Sequence, residues 1–133
     1  MRLELIKKTE LVLQAVLSLA DSASDEPTKG ALLASKLGTT ASYIPEVMRP
    51  LVEAGWVKSA PGPHGGYVLV ANPQSITLLM LIEAAEGPTR DDRCVLRGTP
   101  CPAEEVCAMH DAWSTAREAL LAELDETPLS DMR

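Results

Sequence analysis

Residues 39–71 read TTASYIPEVMRPLVEAGWVKSAPGPHGGYVLVA, and this stretch decides the fold. Its first half predicts a helix that runs from Thr40, its N-cap, to Ala54. Apolar residues at helical spacing form the inward face of this helix, namely Ile44, Val47, Met48 and Leu51. Pro45 and Pro50 remove backbone N–H donors, so we expect the helix to be bent or irregular.

The second half of the stretch predicts a β-hairpin. Residues 56–60 and 66–71 read as two short strands. Residues 61–65, with the sequence PGPHG, join them as a turn. The helix therefore leads directly into a hairpin whose tip is rich in glycine.

Two further helices are predicted upstream of this stretch. The first covers residues 4–20, and a polar loop over residues 21–27 follows it. The second covers residues 29–37, with Thr28 as its N-cap and Gly38 as its stop.

Downstream of the hairpin, two more helices flank a loop. The first covers residues 78–86, between Thr77 as N-cap and Gly87. The loop over residues 88–103 is rich in proline, glycine and charge, and a long helix follows over about 104–125. This helix carries an apolar stripe of Val106, Met109, Trp113, Ala116, Leu120 and Leu124.

The order helix, short helix, turn, helix, hairpin is typical of a winged helix-turn-helix, which makes the fold mainly α with a small β-hairpin. In this fold the second helix of the pair enters the DNA major groove with its N-terminal residues. The candidate DNA contacts are Thr40, Ser42 and Tyr43 on that helix, Arg49, Lys58 and Ser59 as phosphate clamps, and His64, Gly65 and Gly66 in the wing. Winged helices also serve as protein-interaction modules, so the pattern alone leaves that alternative open.

The net charge of −7 is unevenly distributed. Residues 1–73 carry equal numbers of acidic and basic side chains, whereas residues 74–133 carry twelve acidic and five basic ones. DNA affinity depends on a local basic face rather than on the charge of the whole chain. The acidity therefore belongs to the C-terminal half and does not exclude DNA binding by the N-terminal half.

Three cysteines and a histidine are spaced as Cys94-x6-Cys101-x5-Cys107-x2-His110. Thiolates are soft ligands that suit iron–sulfur clusters, Zn²⁺ or Cu⁺. His110 shares a helix face with Cys107 in the predicted long helix, so it is a candidate fourth ligand. Glu10 is a second candidate, which only the fold or a partner subunit could bring close.

Two other interpretations of this loop stay open at this point. The spacing lacks the paired C-x2-C of most structural zinc sites, which favours a cluster, but a zinc-stabilised winged helix without redox sensing is the alternative. A small metalloenzyme would use the same residues, yet the sequence offers it no evident general base. Catalytic motifs such as a P-loop, a nucleophile elbow or a dinucleotide fingerprint are missing, so we predict that the protein is not an enzyme.

Cysteine usage and hydropathy together indicate the compartment. An odd number of cysteines without a secretion signal argues against a disulfide framework. The sequence contains no apolar stretch of the ~18–20 residues needed to span a bilayer. We therefore expect a cytoplasmic protein.

Several segments along the chain carry the motifs of a known family. They are YI at 43–44, LVEAGWVKS at 51–59, GPHGGY at 62–67, ITL at 76–78, CAMHDAW at 107–113 and TPLSD at 127–131. Together they resemble the iron–sulfur redox-sensing winged-helix transcriptional repressors, which include the iron–sulfur cluster regulator (IscR) and the nitric-oxide-sensitive repressor (NsrR). Pro45 and Pro61 depart from the family pattern, because many relatives carry a polar residue and an arginine there.

The resemblance implies a homodimer with the long helix at its interface, bound to a palindromic operator in double-stranded DNA. It divides the chain into a winged helix-turn-helix over residues 1–75 and a cluster-binding loop with dimerisation helices over residues 76–133. It also implies that a [2Fe–2S] or [4Fe–4S] cluster controls DNA affinity in response to redox state, nitric oxide or iron.

The resemblance extends to the ligands. Cys94, Cys101 and Cys107 match the three cluster cysteines of the family. His110 matches the fourth ligand of the cluster-regulator branch, and Glu10 falls where the nitric-oxide branch has a carboxylate ligand from the other subunit.

Overall fold

Helices and one hairpin form the framework of the computed structural model, which describes residues 1–22, 25–89 and 92–132. In chain order the elements are α1 (Lys7–Asp21), α2 (Gly30–Leu37), α3 (Ile44–Glu53), β1 (Val57–Ala60), β2 (Gly66–Leu69), α4 (Leu78–Glu86) and α5 (His110–Glu126). Short 3-10 turns lie at Ala41–Tyr43, Pro73–Ser75 and Leu129–Asp131. The predicted fold class is confirmed. Parts of the predicted loops, residues 23–24 and 90–91, fall outside the described residues, as does residue 133.

Helix α2 begins without the side-chain cap that the sequence predicted. Lys29 occupies the cap position, and the N-cap prediction for Thr28 is wrong. The backbone of Thr28 instead pairs with Tyr67 of β2, donating one hydrogen bond of 2.8 Å and accepting one of 2.9 Å. Gly38 ends the helix in the left-handed conformation, at φ 68°, as predicted.

Helix α3 is a continuous α-helix over Ile44–Glu53, and an irregular segment precedes it. The chain forms a 3-10 turn at Ala41–Tyr43, and Thr40 makes no capping hydrogen bond, although it occupies the N-cap position of that turn. Pro45 lies in the first turn of α3, where the missing N–H costs nothing because that position has no intrahelical acceptor. Pro50 lies inside the helix and is buried.

The hairpin is antiparallel and short. Val57 pairs with Leu69 at its base, and Ala60 pairs with Gly66 near its tip. The predicted continuation to residue 71 is wrong, because the N–H groups of Val70 and Ala71 both donate to the single carbonyl of Trp56. That shared acceptor ends the regular ladder at Leu69.

One continuous hydrophobic core connects the two halves of the chain. Val12 and Val16 of α1 are fully buried against Met48 and Leu51 of α3. The same core includes residues from the C-terminal half, namely Ile76, Leu81 and Leu129. Segment Leu129–Asp131 returns to the core, since the N–H of Leu129 donates to the carbonyl of Ile76 at 2.8 Å.

Helices α4 and α5 precede and follow the cysteine loop in the chain. Helix α4 follows the prediction, because Thr77 caps it by accepting a hydrogen bond from the N–H of Met80, and Gly87 ends it. The predicted start of the last helix near residue 104 is wrong, since α5 begins at His110. Within α5 the buried side chain is Leu121, which the predicted apolar stripe did not contain. None of the described helices is long and apolar enough to cross a membrane.

Candidate functional site

Three thiols converge in the segment between α4 and α5. The Sγ atoms of Cys94, Cys101 and Cys107 all lie within 4.8 Å of one another. Cys94 and Cys107 are in direct contact, with their Sγ atoms 3.5 Å apart. Each side chain is half-buried, so the group is sheltered from solvent but reachable from it.

A tight turn brings the first two cysteines together. The N–H of Cys94 donates to the carbonyl of Thr99, and the N–H of Gly98 donates back to the carbonyl of Cys94, each at 2.9 Å. Gly98 adopts φ 70°, which a glycine reaches without strain. Arg93 and Pro100 form a β-bridge beyond this turn, so Cys101 comes to lie beside Cys94.

The third cysteine is placed by a turn that precedes α5. The N–H of His110 donates to the carbonyl of Cys107 at 3.1 Å, which fixes Cys107 just outside the helix. The guanidinium of Arg97 donates to the carbonyl of Glu105 at 3.3 Å and ties the two parts of the loop together.

The surroundings make the thiols electrostatically unequal. The backbone N–H of Leu96 donates to the Sγ of Cys94 at 3.4 Å and is the main reason that the pKa of Cys94 falls to about 7. Burial, together with the contact to Cys94, raises the pKa of Cys107 above its ordinary value. Cys94 therefore becomes a thiolate, the form that binds metals, more readily than Cys107.

The two candidate fourth ligands lie in different surroundings. His110 is the first residue of α5, and it lines a small cavity together with Cys94 and Cys107. The predicted shared helix face of His110 and Cys107 is wrong, because Cys107 lies before the helix. Glu10 lies on α1 and accepts hydrogen bonds from Lys7 at 2.5 Å and from Gln14 at 3.3 Å. Among the described residues, the tight group of ligand atoms contains neither His110 nor Glu10.

Most of the predicted DNA contacts are exposed, whereas two glycines of the wing are buried or half-buried. The exposed residues are Thr40, Ser42, Tyr43, Arg49, Lys58, Ser59 and His64. Gly65 is buried and Gly66 is half-buried. A Cβ atom on Gly65 would lie 2.0 Å from the carbonyl oxygen of Ala60, so this glycine is needed for the hairpin's own packing.

The comparisons with known proteins agree with this architecture. The profile of the Rrf2 family, described as "Iron-dependent Transcriptional regulator", matches residues 5–133. The chain belongs to the Rrf2 family. It is similar to the HTH-type transcriptional regulator CymR of Bacillus subtilis, with 31% identity over 90% of this chain and 82% of CymR.

Solved structures support the same assignment for this Rrf2 protein. The structure of CymR, the global cysteine regulator of B. subtilis, matches with a TM-score of 0.79 and 30% identity, covering 98% of this chain and 96% of that one. A structure of T. potens IscR matches with a TM-score of 0.74 and 25% identity, covering 98% and 85%. The fold is therefore that of the winged-helix Rrf2 regulators, and the chain is a DNA-binding transcription regulator, not an enzyme.

One residue on α3, the second or recognition helix of the helix-turn-helix, was not predicted from the sequence of this Rrf2 protein. The carboxylate of Glu46 pairs with Arg49 on the same exposed face of α3, and it lies 4.0 Å from the ammonium of Lys8 on α1. The spacing of Glu46 and Arg49 by three positions was the available signal. Glu46 thus offsets the positive charge of Lys8 and of Arg49, and Arg49 is one of the predicted DNA contacts.

Proposed function

We propose that this Rrf2 protein is a homodimeric transcriptional repressor whose operator affinity is controlled by an iron–sulfur cluster. In this proposal Cys94, Cys101 and Cys107 hold the cluster, and His110 supplies the fourth ligand. The observation that carries the proposal is the convergence of three thiol sulfurs within 4.8 Å in one loop. The protein would act on chromosomal DNA in the bacterial cytoplasm and sense redox state, nitric oxide or iron.

The donor set fits such a group. Three sulfur donors from one loop are the ligands that iron–sulfur clusters use most, and their half-burial limits the access of water. The lowered pKa of Cys94 favours a thiolate without a strong base. A bound cluster would supply a redox-active centre whose retention depends on oxygen, nitric oxide and iron supply.

His110 is the fourth ligand that the geometry of a single chain favours. It shares a cavity with Cys94 and Cys107, whereas Glu10 is occupied by Lys7 and Gln14. We expect His110→Ala to alter the visible spectrum and the midpoint potential of the bound cluster, and Glu10→Gln to leave both unchanged. The opposite pattern would assign the ligand to Glu10 of the partner subunit.

Hydrogen bonds connect the cysteine loop with the DNA-binding half. At the end of α4, Glu83 accepts a hydrogen bond from Thr89 at 2.8 Å, and Glu86 accepts one from Thr9 of α1 at 2.7 Å. Helix α1 packs on α3 through the core, and Lys8 adds its charge beside Glu46. We infer that a movement of the loop shifts α4, that α4 then shifts α1, and that α1 changes the orientation of the recognition helix α3.

An exposed apolar surface on α5 supports the dimer. Leu3, Trp113, Ala116 and Leu120 line an open cavity of about 310 Å³ beside the N-terminal residues. Leu3 is 74% and Leu120 47% exposed, which is costly in water for residues of this type. Two copies joined along α5 would present two recognition helices, which matches a palindromic operator with half-sites about one helical turn apart.

The decisive experiment is purification under strict exclusion of oxygen, followed by visible spectroscopy and by iron and sulfide analysis. We expect a coloured protein with iron and sulfide in equal amounts, and a Cys101→Ser variant that retains neither. Glu104→Gln is the matched control, because it changes an exposed loop side chain and leaves all three thiols in place. A colourless protein that stays free of iron after reconstitution would refute the proposal.

Zinc is the second candidate for this site, on the basis of one distance. Two thiolates on a tetrahedral ion with bonds of about 2.3 Å lie about 3.8 Å apart, close to the 3.5 Å between Cys94 and Cys107. Two thiolates on one iron atom have a similar separation, so the distance fits both. Metal analysis separates them, since a zinc protein has no visible absorption and no redox response.

A further inference from the structure

We propose that the metal-free protein is oxidised by hydroperoxides to an intramolecular disulfide between Cys94 and Cys107, with Cys101 left as a free thiol. This disulfide is a modification of the chain itself. Its formation does not require that the loop ever holds iron, so it goes beyond the proposed regulatory function.

The geometry favours this pair. The Sγ atoms of Cys94 and Cys107 are 3.5 Å apart, and a disulfide bond is about 2.05 Å long, so the two atoms must approach by about 1.5 Å. Both residues lie outside regular helices and strands. Their neighbours Val95 and Val106 are exposed, so the backbone can shift without opening the core.

Cys101 is less able to form a disulfide although its sulfur is close. It stands between Pro100 and Pro102, whose rings fix their own backbone angles and restrict the residues before them. A bond from Cys101 to Cys94 would also cross-link a turn that Cys94, Gly98 and Thr99 already close with two hydrogen bonds. Cys107 approaches from the other side of the loop and is free of both restrictions.

The chemistry balances with a hydroperoxide as the oxidant. One thiolate of the pair attacks the O–O bond of hydrogen peroxide, which gives a sulfenic acid and releases hydroxide, later protonated to water. The second thiol attacks the sulfenic sulfur, the S–S bond forms, and the S–O bond breaks with loss of a second water. Two thiols thereby lose two electrons and two protons, and one peroxide becomes two waters.

The disulfide has a direct consequence for the site. It removes two of the three sulfur donors, so neither iron nor zinc can be bound again before a thiol reductant acts. If the proposed cluster function is correct, a protein that loses its cluster under peroxide stress could therefore not regain it until a thiol reductant has cleaved the disulfide.

The test uses full-length protein, freed of metal by a chelator under reducing conditions and then treated with one equivalent of hydrogen peroxide. After alkylation, digestion with trypsin and a glutamate-specific protease separates all three cysteines, since Arg97 lies between Cys94 and Cys101, and Glu104 and Glu105 lie between Cys101 and Cys107. We expect residues 94–97 linked to a peptide that contains Cys107, with Cys101 alkylated.

Two variants keep the test independent of folding and of metal binding. Cys101→Ser should form the disulfide within about twofold of the wild-type rate, whereas Cys107→Ser should lose it and accumulate a sulfenic acid that dimedone traps. A bond between Cys94 and Cys101, covalent dimers, or three alkylated cysteines would overturn the proposal. Absence of iron in the anaerobically purified protein would instead refute the cluster and leave this result standing.

Discussion

The sulfur of Cys94 accepts a hydrogen bond from the backbone of its own loop. The N–H of Leu96 stabilises the thiolate and lowers the pKa of Cys94 from 9.0 to about 7. The lowered pKa of Cys94 makes its thiolate more abundant at neutral pH than that of Cys107, whose pKa is raised. The local backbone therefore favours Cys94 over Cys107 as the nucleophile.

We predict that Cys94 is alkylated first in the reduced, metal-free protein. Its rate with iodoacetamide should rise steeply as the pH passes through about 7 and level off above pH 8, because the thiolate is the reacting form. Cys107, whose pKa is raised, should react more slowly and continue to gain rate at higher pH. Peptide mass spectrometry after timed quenching measures both rates, and equal rates at pH 7 would contradict the prediction.

Gly65 is a second residue with a local physical requirement. We predict that Gly65→Ala destabilises the protein by about 1–3 kcal/mol, because the added Cβ would lie 2.0 Å from a backbone carbonyl that cannot move away cheaply. His64→Ala is the control next to it, because His64 is exposed, and it should change stability by less than about 0.5 kcal/mol. Denaturant unfolding measures both, and equal effects would mean that the wing tip accommodates the methyl group.

A part-buried side-chain hydrogen bond joins helix α1 to α4. Thr9 is 2% exposed, and its hydroxyl donates to the carboxylate of Glu86 at 2.7 Å. We predict that Thr9→Val, which keeps the shape of the side chain, lowers the free energy of unfolding by about 1–2 kcal/mol. Thr115→Val, on the exposed surface of α5, is the control. Urea titration followed by circular dichroism gives both values, and a stability within error of wild type would show that the bond contributes nothing.

The elements show where sequence reasoning succeeds and where it stops. Helix α4 was predictable because residues at its two ends determine where it starts and stops. The hydroxyl of Thr77 caps its start, and Gly87 ends it. The start of α5 was not predictable, because residues 104–109 suit a helix by composition, whereas the structure places Cys107 in a turn beside Cys94. A contact between residues distant in sequence outweighed local propensity there.

The same distinction applies to the site. The sequence singled out the three cysteines that converge in the structure, because their spacing in one polar loop is a local property. It could not rank His110 against Glu10, since that choice depends on how α1 and α5 are placed. Likewise the contact between Thr28 and Tyr67 replaced a predicted helix cap, because a hairpin strand lay close enough to offer backbone partners.

The number of basic side chains that contact phosphates sets how DNA binding responds to salt. The basic side chains near the predicted interface are few, and the C-terminal half is strongly acidic. We predict that Arg49→Ala and Lys58→Ala each reduce the slope of log K against log salt concentration by about 1, because each contact releases about one counterion.

Lys36→Ala is the matched control for these two variants. Lys36 is exposed beside Gln14 and Asp21 of α1, away from the wing, so its removal should leave the salt slope unchanged. Fluorescence anisotropy with DNA selected by the protein from a random library, repeated between low and moderate salt, gives the slopes. Identical slopes for all variants would show that Arg49 and Lys58 do not contact DNA, and that the interface does not involve these positions of α3 and the hairpin.

The pairing of Thr28 with Tyr67 joins β2 to the segment that leads into α2. Two backbone hydrogen bonds therefore hold the wing against the helix-turn-helix, and a change in their mutual angle would have to break these bonds. In the proposed dimer a signal from the thiols would then move the wing and the helix-turn-helix of each subunit together. The quantity that changes would be the distance between the two DNA-binding units.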